Sequence, residues 1–187
     1  ILSWMDTAPD ETVEFCTLNR YLYLIKISGS IALGKHTAAL VLLQRMLLYA
    51  DYAHRTYIRM ECRLLGAVVL RRTGRPWKEG FIQTLKEIGQ FHFVPMISEK
   101  GAAVLPLLTE VKTAMLQQEA QLADWFAQVL EETTHMARLY PNFLKGTGVD
   151  VSAFSATALQ VLRMQAAGYT AREIADQLHI TQRTVKY

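Results

Sequence analysis

The side chains best suited to chemistry lie together at the end of this chain: Thr170, Arg172, Gln182, Arg183, Thr184, Lys186 and Tyr187. Their chemistry is that of nucleic-acid recognition. A Gln amide can pair bidentately with adenine, and Arg or Lys with guanine. Thr, Arg and Lys also suit phosphate oxygens, which set register without reading sequence. The spacing supports this use. Thr170-Ala171-Arg172-Glu173 is a capping box, in which the Thr hydroxyl accepts from the third helical amide and the Glu reaches back to the Thr amide. The helix so started buries Ile174, Ala175 and Leu178. His179 and Ile180 make a turn, Thr181 caps the next helix and Val185 anchors it, leaving Gln182, Arg183, Thr184, Lys186 and Tyr187 outward. Two helices joined by a short turn, with the first residues of the second turned outward, make a helix-turn-helix reader of the major groove.

Other constellations are weaker. Glu132 and His135 have a Glu-x-x-His spacing, but a bundle metal site needs a second copy and further carboxylates, so the pair reads as a solvated helix face and no metal is expected. Cys16 and Cys62 lack a CxxC spacing and read as small hydrophobes in a reducing compartment. Asp51, His54 and Ser28 show no nucleophile motif, and no Gly-rich phosphate loop is present. No catalytic residue and no cofactor is therefore assigned to these residues. Tyr21, Tyr52 and Tyr57, on the first three helices, are assigned to a groove that binds an effector or partner. His92, between Phe91 and Phe93, belongs to a loop aromatic cluster that seals the end of the repeats.

The elements that position these residues are helical. Leu40, Leu43, Leu47 and Ala50 mark one helix face, as do Ile58, Cys62, Leu65 and Val69, then Trp77, Phe81, Leu85 and Ile88, and later Leu122, Phe126, Val129 and Thr133. Gly34, Gly74-Arg75-Pro76 and Gly89 punctuate them. Helices are predicted over Thr12–Leu33, His36–His54, Thr56–Thr73, Pro76–Phe91, Ala102–Gln117 and Glu119–Tyr140, with Val94-Pro95-Met96 as a bend. The hairpins at Gly34 and Gly74 echo one another at forty residues, near the period of helical solenoids. Such hairpins bury their faces only by stacking, so the first helix should expose an apolar face. The breaker-rich stretch Tyr140-Pro141-Asn142 to Asp150 reads as a linker. The expected organisation is a helical-repeat sensor or interaction domain over 1–140, a linker over 141–151 that lets the reader move, and a DNA-binding domain over 152–187.

With 187 residues, 51% hydrophobic and 20% charged, the chain can bury a core, and its net charge of +3 permits nucleic-acid binding without arguing for it. No apolar run reaches the ~18 residues of a membrane span, so no membrane partner is expected and cytoplasm is the default location.

The terminal string resembles the LuxR-type helix-turn-helix at the end of MalT-like transcriptional activators. Val161-Leu162, Ala167-Gly168, Glu173-Ile174-Ala175, Leu178, Ile180-Thr181 and Thr184-Val185-Lys186 carry the resemblance. It implies that Thr184 and Lys186 contact DNA and that Arg172 contacts the backbone. The first helix departs from the family pattern: Ser155 is followed by Ala158 and Gln160 where acidic residues are usual. Half a capping box lost should cost ~0.5–1 kcal/mol. Upstream, the stretch from Arg55 to Leu108 resembles the last repeats of the MalT-like superhelical sensor, so the expected fold is all-α, a TPR-like helical-hairpin superhelix followed by the reader. The resemblance further implies a nucleotide-binding switch domain upstream, ATP as its cofactor, and a homo-oligomer in the whole protein. Because the chain opens on Ile1 and the string stops inside the third helix, a piece of a longer regulator is expected, binding DNA poorly by itself. Two alternatives stand: a helical-repeat protein–protein interaction scaffold without DNA binding, and a regulatory segment of a larger ATPase.

Overall fold

A computed structural model describes residues 15–144, 155–166 and 168–186. The helices are α1 (Arg20–Ala32), α2 (His36–Tyr52), α3 (Thr56–Arg72), α4 (Lys78–Gly89), α5 (Val94–Ser98), α6 (Gly101–Gln118), α7 (Ala123–Leu139), α8 (Ala156–Ala166), α9 (Ala171–Leu178) and α10 (Gln182–Lys186). Single 3₁₀ turns at Thr17–Asn19 and Ala120–Leu122 precede α1 and α7. No strand occurs among the described residues, so the fold is all-α. The chain divides into two compact units, Ile1–Gly146 and Thr147–Tyr187.

In the first unit α1, α2, α3 and α4 each pack chiefly on their neighbours in sequence, and α6 pairs with α7. The turns that reverse the chain share one device. Gly34, His54 and Gly74 all take positive φ, at 71°, 51° and 68°. After each, the next amide reaches back five residues: Lys35 to Ser30 at 2.8 Å, Arg55 to Ala50 at 2.7 Å, Arg75 to Leu70 at 2.9 Å. A left-handed residue is what lets an amide past the helix end reach such a carbonyl. Glycine adopts it at no steric cost, whereas His54 must bear it.

The centre of the unit is α3, which buries residues around most of its circumference, including Ile58, Met60, Leu64, Leu65, Val68 and Val69. It also buries Glu61, between Lys100 Nζ at 3.4 Å and Arg20 Nε at 3.9 Å. A buried carboxylate is tolerated only when paired, so this contact ties the starts of α1 and α6 to the middle helix. Cys62 beside it is a free thiol pushed up to about 12 by burial and by Glu61, and is inert. Arg59 and Arg63 hold Glu87 of α4, and Arg71 and Lys78 hold Glu110 of α6.

Three sequence expectations change. Val94–Ser98 is a short helix rather than a bend, with buried Val94, Met96 and Ile97. Phe15 and Cys16 are not helical, so the first helix starts later than expected. The expected linker begins inside the packing: Leu144 is buried against the first unit, and its carbonyl accepts from the Arg72 guanidinium. Residues 145–151 of that linker lie outside the described residues. The outer face of α1 is apolar and exposed, through Tyr21, Leu22 and Ile25, and Leu18 of the preceding turn is exposed too.

Candidate nucleic-acid interface

The second unit is built on a small core of Val161, Ile174, Ala175 and Val185, one or more from each helix, with Met164, Leu178 and Ile180 packed against it. Its local geometry follows the sequence closely. Ser155 Oγ accepts from the Ala158 amide at 3.1 Å, and with Ala at that position there is no reciprocal carboxylate. Gly168, at φ 89°, ends α8, and the Tyr169 amide returns to the Met164 carbonyl at 3.1 Å. A side chain there would be strained, which favours glycine.

The capping box is complete. The Glu173 amide donates to Thr170 Oγ1 at 3.3 Å, and the Thr170 amide donates to Glu173 Oε2 at 2.8 Å. The Thr170 hydroxyl also donates to the same carboxylate oxygen at 2.7 Å. Backbone first and then hydroxyl, these bonds hold the Glu173 carboxyl below the usual carboxylate range. At the far end of α9, His179 is left-handed, φ 54°, and the Ile180 amide reaches Ala175 at 3.0 Å. That bond turns Ile180 into the core. Thr181 Oγ1 then accepts from the Thr184 amide at 3.2 Å and starts α10. Gln165 of α8 donates to the Val185 carbonyl at 3.5 Å, joining first helix to third.

Thr170, Arg172, Gln182, Arg183 and Thr184 are all exposed on this unit. Their chemistry divides on inspection. The Thr170 hydroxyl has its proton committed to Glu173, and Thr184 Oγ1 shares a 2.9 Å bond with Thr181 Oγ1. Both hydroxyls are thus first of all capping groups. Arg172 and Gln182 have no side-chain partner among the described residues, and their polar ends are free to meet a ligand. Lys186 lies on α10, while its side chain and Tyr187 are outside the described residues.

The three tyrosines assigned to a groove lie in the first unit. All are exposed, but Tyr21 and Tyr57 close on the Arg20 guanidinium, at 4.6 and 5.2 Å from their ring centroids, and Tyr57 tilts against Phe93. Burial, then the charge of Glu61, raises the Tyr57 hydroxyl above its ordinary pKa. Tyr52 is 88% exposed at the end of α2. The expected seal is likewise open: Phe91 and Phe93 stack at 5.5 Å yet stay exposed. A groove of about 1450 Å³ does exist, but between α2, α3 and α4, and none of the three tyrosines lines it. Periodicity placed tyrosines on helices without saying which way each helix turned. Gly66 and Gly80 line this groove and leave it open.

Among the described residues no group of three or more His, Cys, Asp or Glu could hold a metal, and no helix is long and apolar enough to cross a membrane.

A capped three-helix unit with a reversed turn before a third helix rich in Gln, Arg and Thr is the framework of a DNA reader. Residues 152–187 match the family model GerE, described as bacterial regulatory proteins, luxR family. The chain therefore carries a LuxR-type helix-turn-helix, a DNA-binding domain of transcriptional regulation, at 152–187. No curated protein and no solved structure matches the chain.

Proposed function

We propose that the protein is a DNA-binding transcriptional regulator of MalT-like organisation, without enzymatic activity in these residues. In this reading, residues up to about 140 form a helical-repeat domain that receives an effector or partner. A linker that leaves the first unit past Leu144 and runs to 151 joins it to the reader at 152–187. An upstream nucleotide switch using ATP, and homo-oligomerisation on DNA in the cytoplasm, complete the reading. Its carrying observation is the small capped unit with Arg172 and Gln182 exposed and without a side-chain partner among the described residues, beside Arg183 and Lys186 on the same two helices. The base-reading role goes to Gln182 and Arg183. Backbone contact goes to Arg172, Thr184 and Lys186, with Tyr187 and Thr170 at the edge of the interface.

The test is the affinity of the full-length gene product for duplex DNA as a function of salt. A contact to phosphate releases counterions, so Lys186→Ala should weaken binding to every sequence and lower the salt slope by about one. Gln182→Ala should instead relax discrimination at one base pair by ~1–3 kcal/mol. Affinity that is independent of salt, or untouched by both substitutions, rejects the assignment in favour of the scaffold reading.

A further inference from the structure

We infer that Arg72 is a latch: it holds the segment Tyr140–Leu144 onto the ends of α1 and α3, so that a shift at the end of α1 changes how much chain joins the two units. The latch stands without any role for the second unit. Only its consequence for DNA rests on the reading of 152–187 as a reader.

Two segments far apart in sequence meet at this one side chain. Arg72 is the last residue of α3. Its Nη1 donates to the Ile31 carbonyl at 3.2 Å, in the last turn of α1, and its Nη2 donates to the Leu144 carbonyl, past the end of α7. Arg71 beside it is held by Glu110, but Arg72 has no ion pair among the described residues. Burial, then the charge of Arg71, lowers its pKa from the ordinary arginine value. Main-chain carbonyls alone therefore hold a half-buried cation. The one on α1 belongs to the negative end of that helix, where a cation is favoured.

Leu144 shows that the contact is made against resistance. Its φ is 52°, in the left-handed region that a leucine disfavours. The other described residues with positive φ are glycines and histidines, each at a helix end or within three residues of one. Leu144 stands five residues past α7. A left-handed leucine persists where its surroundings hold it there. The holds are burial of its side chain in the core and the bond from Arg72 to its carbonyl.

These holds depend on α1. Among the helices α1 packs chiefly on α2, and its outer face is exposed, so it is the least anchored helix at this end of the unit. A shift that carries the Ile31 carbonyl out of hydrogen-bond range leaves the guanidinium to be solvated, and its grip on Leu144 weakens with it. The backbone strain then favours release. Freeing Tyr140–Leu144 adds five residues to the chain between α7 and α8, up to about 17 Å of reach for the reader.

The test is trypsin digestion of the intact chain, read as the rate at which the 1–145 fragment appears, with amide exchange measured alongside. The bond after Lys145 enters a protease only with the preceding residues extended, so cleavage follows the fraction of molecules with Leu144 out. Arg72→Met keeps the stem of the side chain and removes both donors, and should raise the rate at least about tenfold; Arg72→Lys, which keeps a donor without the fork, should raise it less. Leu144→Ala, with Arg72 in place, gives an independent release should the first variant misfold. Separate structural roles would make the two effects multiply. A latch makes the second redundant, so the double variant should be cut within about twofold of the faster single one. Leu144→Ala should also speed exchange of the Lys35 amide, which closes α1 through Ser30, by about threefold, and should add nothing there in Arg72→Met. Amides in the middle of α3 should exchange equally in every variant. Unchanged cleavage in Arg72→Met, multiplied effects in the double variant, or a Lys35 amide indifferent to Leu144→Ala overturns the proposal. DNA is absent from this experiment, so its failure leaves the regulator reading intact, and loss of DNA binding leaves the latch untouched.

Discussion

Replacing glycine by alanine inside a helix should stabilise it, and in this protein the same change should act with opposite sign at two glycines of adjoining helices. At Gly66 nothing among the described residues lies within 4 Å of the added Cβ. The helix gains the full propensity difference, about 0.8–1 kcal/mol. At Gly89 the added Cβ meets Leu122 Cδ1 at 2.8 Å, Trp125 Cζ3 at 3.1 Å and Leu122 Cδ2 at 3.2 Å. A leucine methyl can usually swing aside, but Leu122 is 8% exposed and Trp125 5%, so both are confined together. Overpacking of this kind costs ~1–3 kcal/mol. Gly89 is also the last residue of α4, where the propensity gain is smaller. Gly66→Ala should therefore stabilise by about 1 kcal/mol and Gly89→Ala destabilise by roughly 1–2. The assay is urea denaturation of the intact chain followed by helicity, with m-values compared so that a shift in midpoint reports stability. For a unit of this size the two variants should be separated by roughly 6–10 °C in thermal midpoint. If Gly89→Ala proves as stabilising as Gly66→Ala, the α4–α7 contact is looser than described and the reasoning fails.

Removing the cap with Thr170→Ala should cost the second unit about 1 kcal/mol, seen as faster amide exchange in α9 with α2 and α3 unaffected. The Glu173 carboxyl titrates below its unfolded value, so its contribution is present above the unfolded pKa and is lost as pH falls through the folded one. Protection of the α9 amides, relative to their intrinsic exchange rates, should accordingly fall in acid, and the fall should vanish in Glu173→Gln. His54→Gly should stabilise the first unit by about 0.5–1 kcal/mol, because relief of the left-handed conformation outweighs the entropy lost by glycine. A lower urea midpoint would show that His54 carries a contact of its own. In the full-length product, Arg172→Ala together with Lys186→Ala should flatten the salt dependence of DNA affinity by up to two in slope.

Local signals were the legible ones. Thr170 and Glu173 sit three apart and form the box their types demand, and Thr181 caps α10 as its hydroxyl permits. The core faces of α3 and α7 follow from spacing alone, as Ile58, Cys62, Leu65 and Val69 and then Phe126 and Val129 are all buried. What was not legible depends on neighbours distant in sequence. Tyr23 is wholly buried against Phe15 while Tyr21, two residues away, is exposed; only the position of α2 decides this. Val94–Ser98 is too short for its periodicity to show and is held by the packing of α7. His54 gives no hint in its type that it stands where glycine stands at its two counterparts. The groove arises from side chains that are missing, and a pattern of apolar residues does not record a missing one.

The regular recurrence of those left-handed ends bears on how such a gene can change. Gly34, His54 and Gly74 fall twenty residues apart, and the chain reverses direction at each. Copying or deleting one such interval would leave every later helix running the wrong way through its neighbours. Copying or deleting two restores direction and presents the same faces to the same partners. Length variation within this unit should therefore come in steps of about forty codons, with recombination points tolerated at the turns and selected against between them.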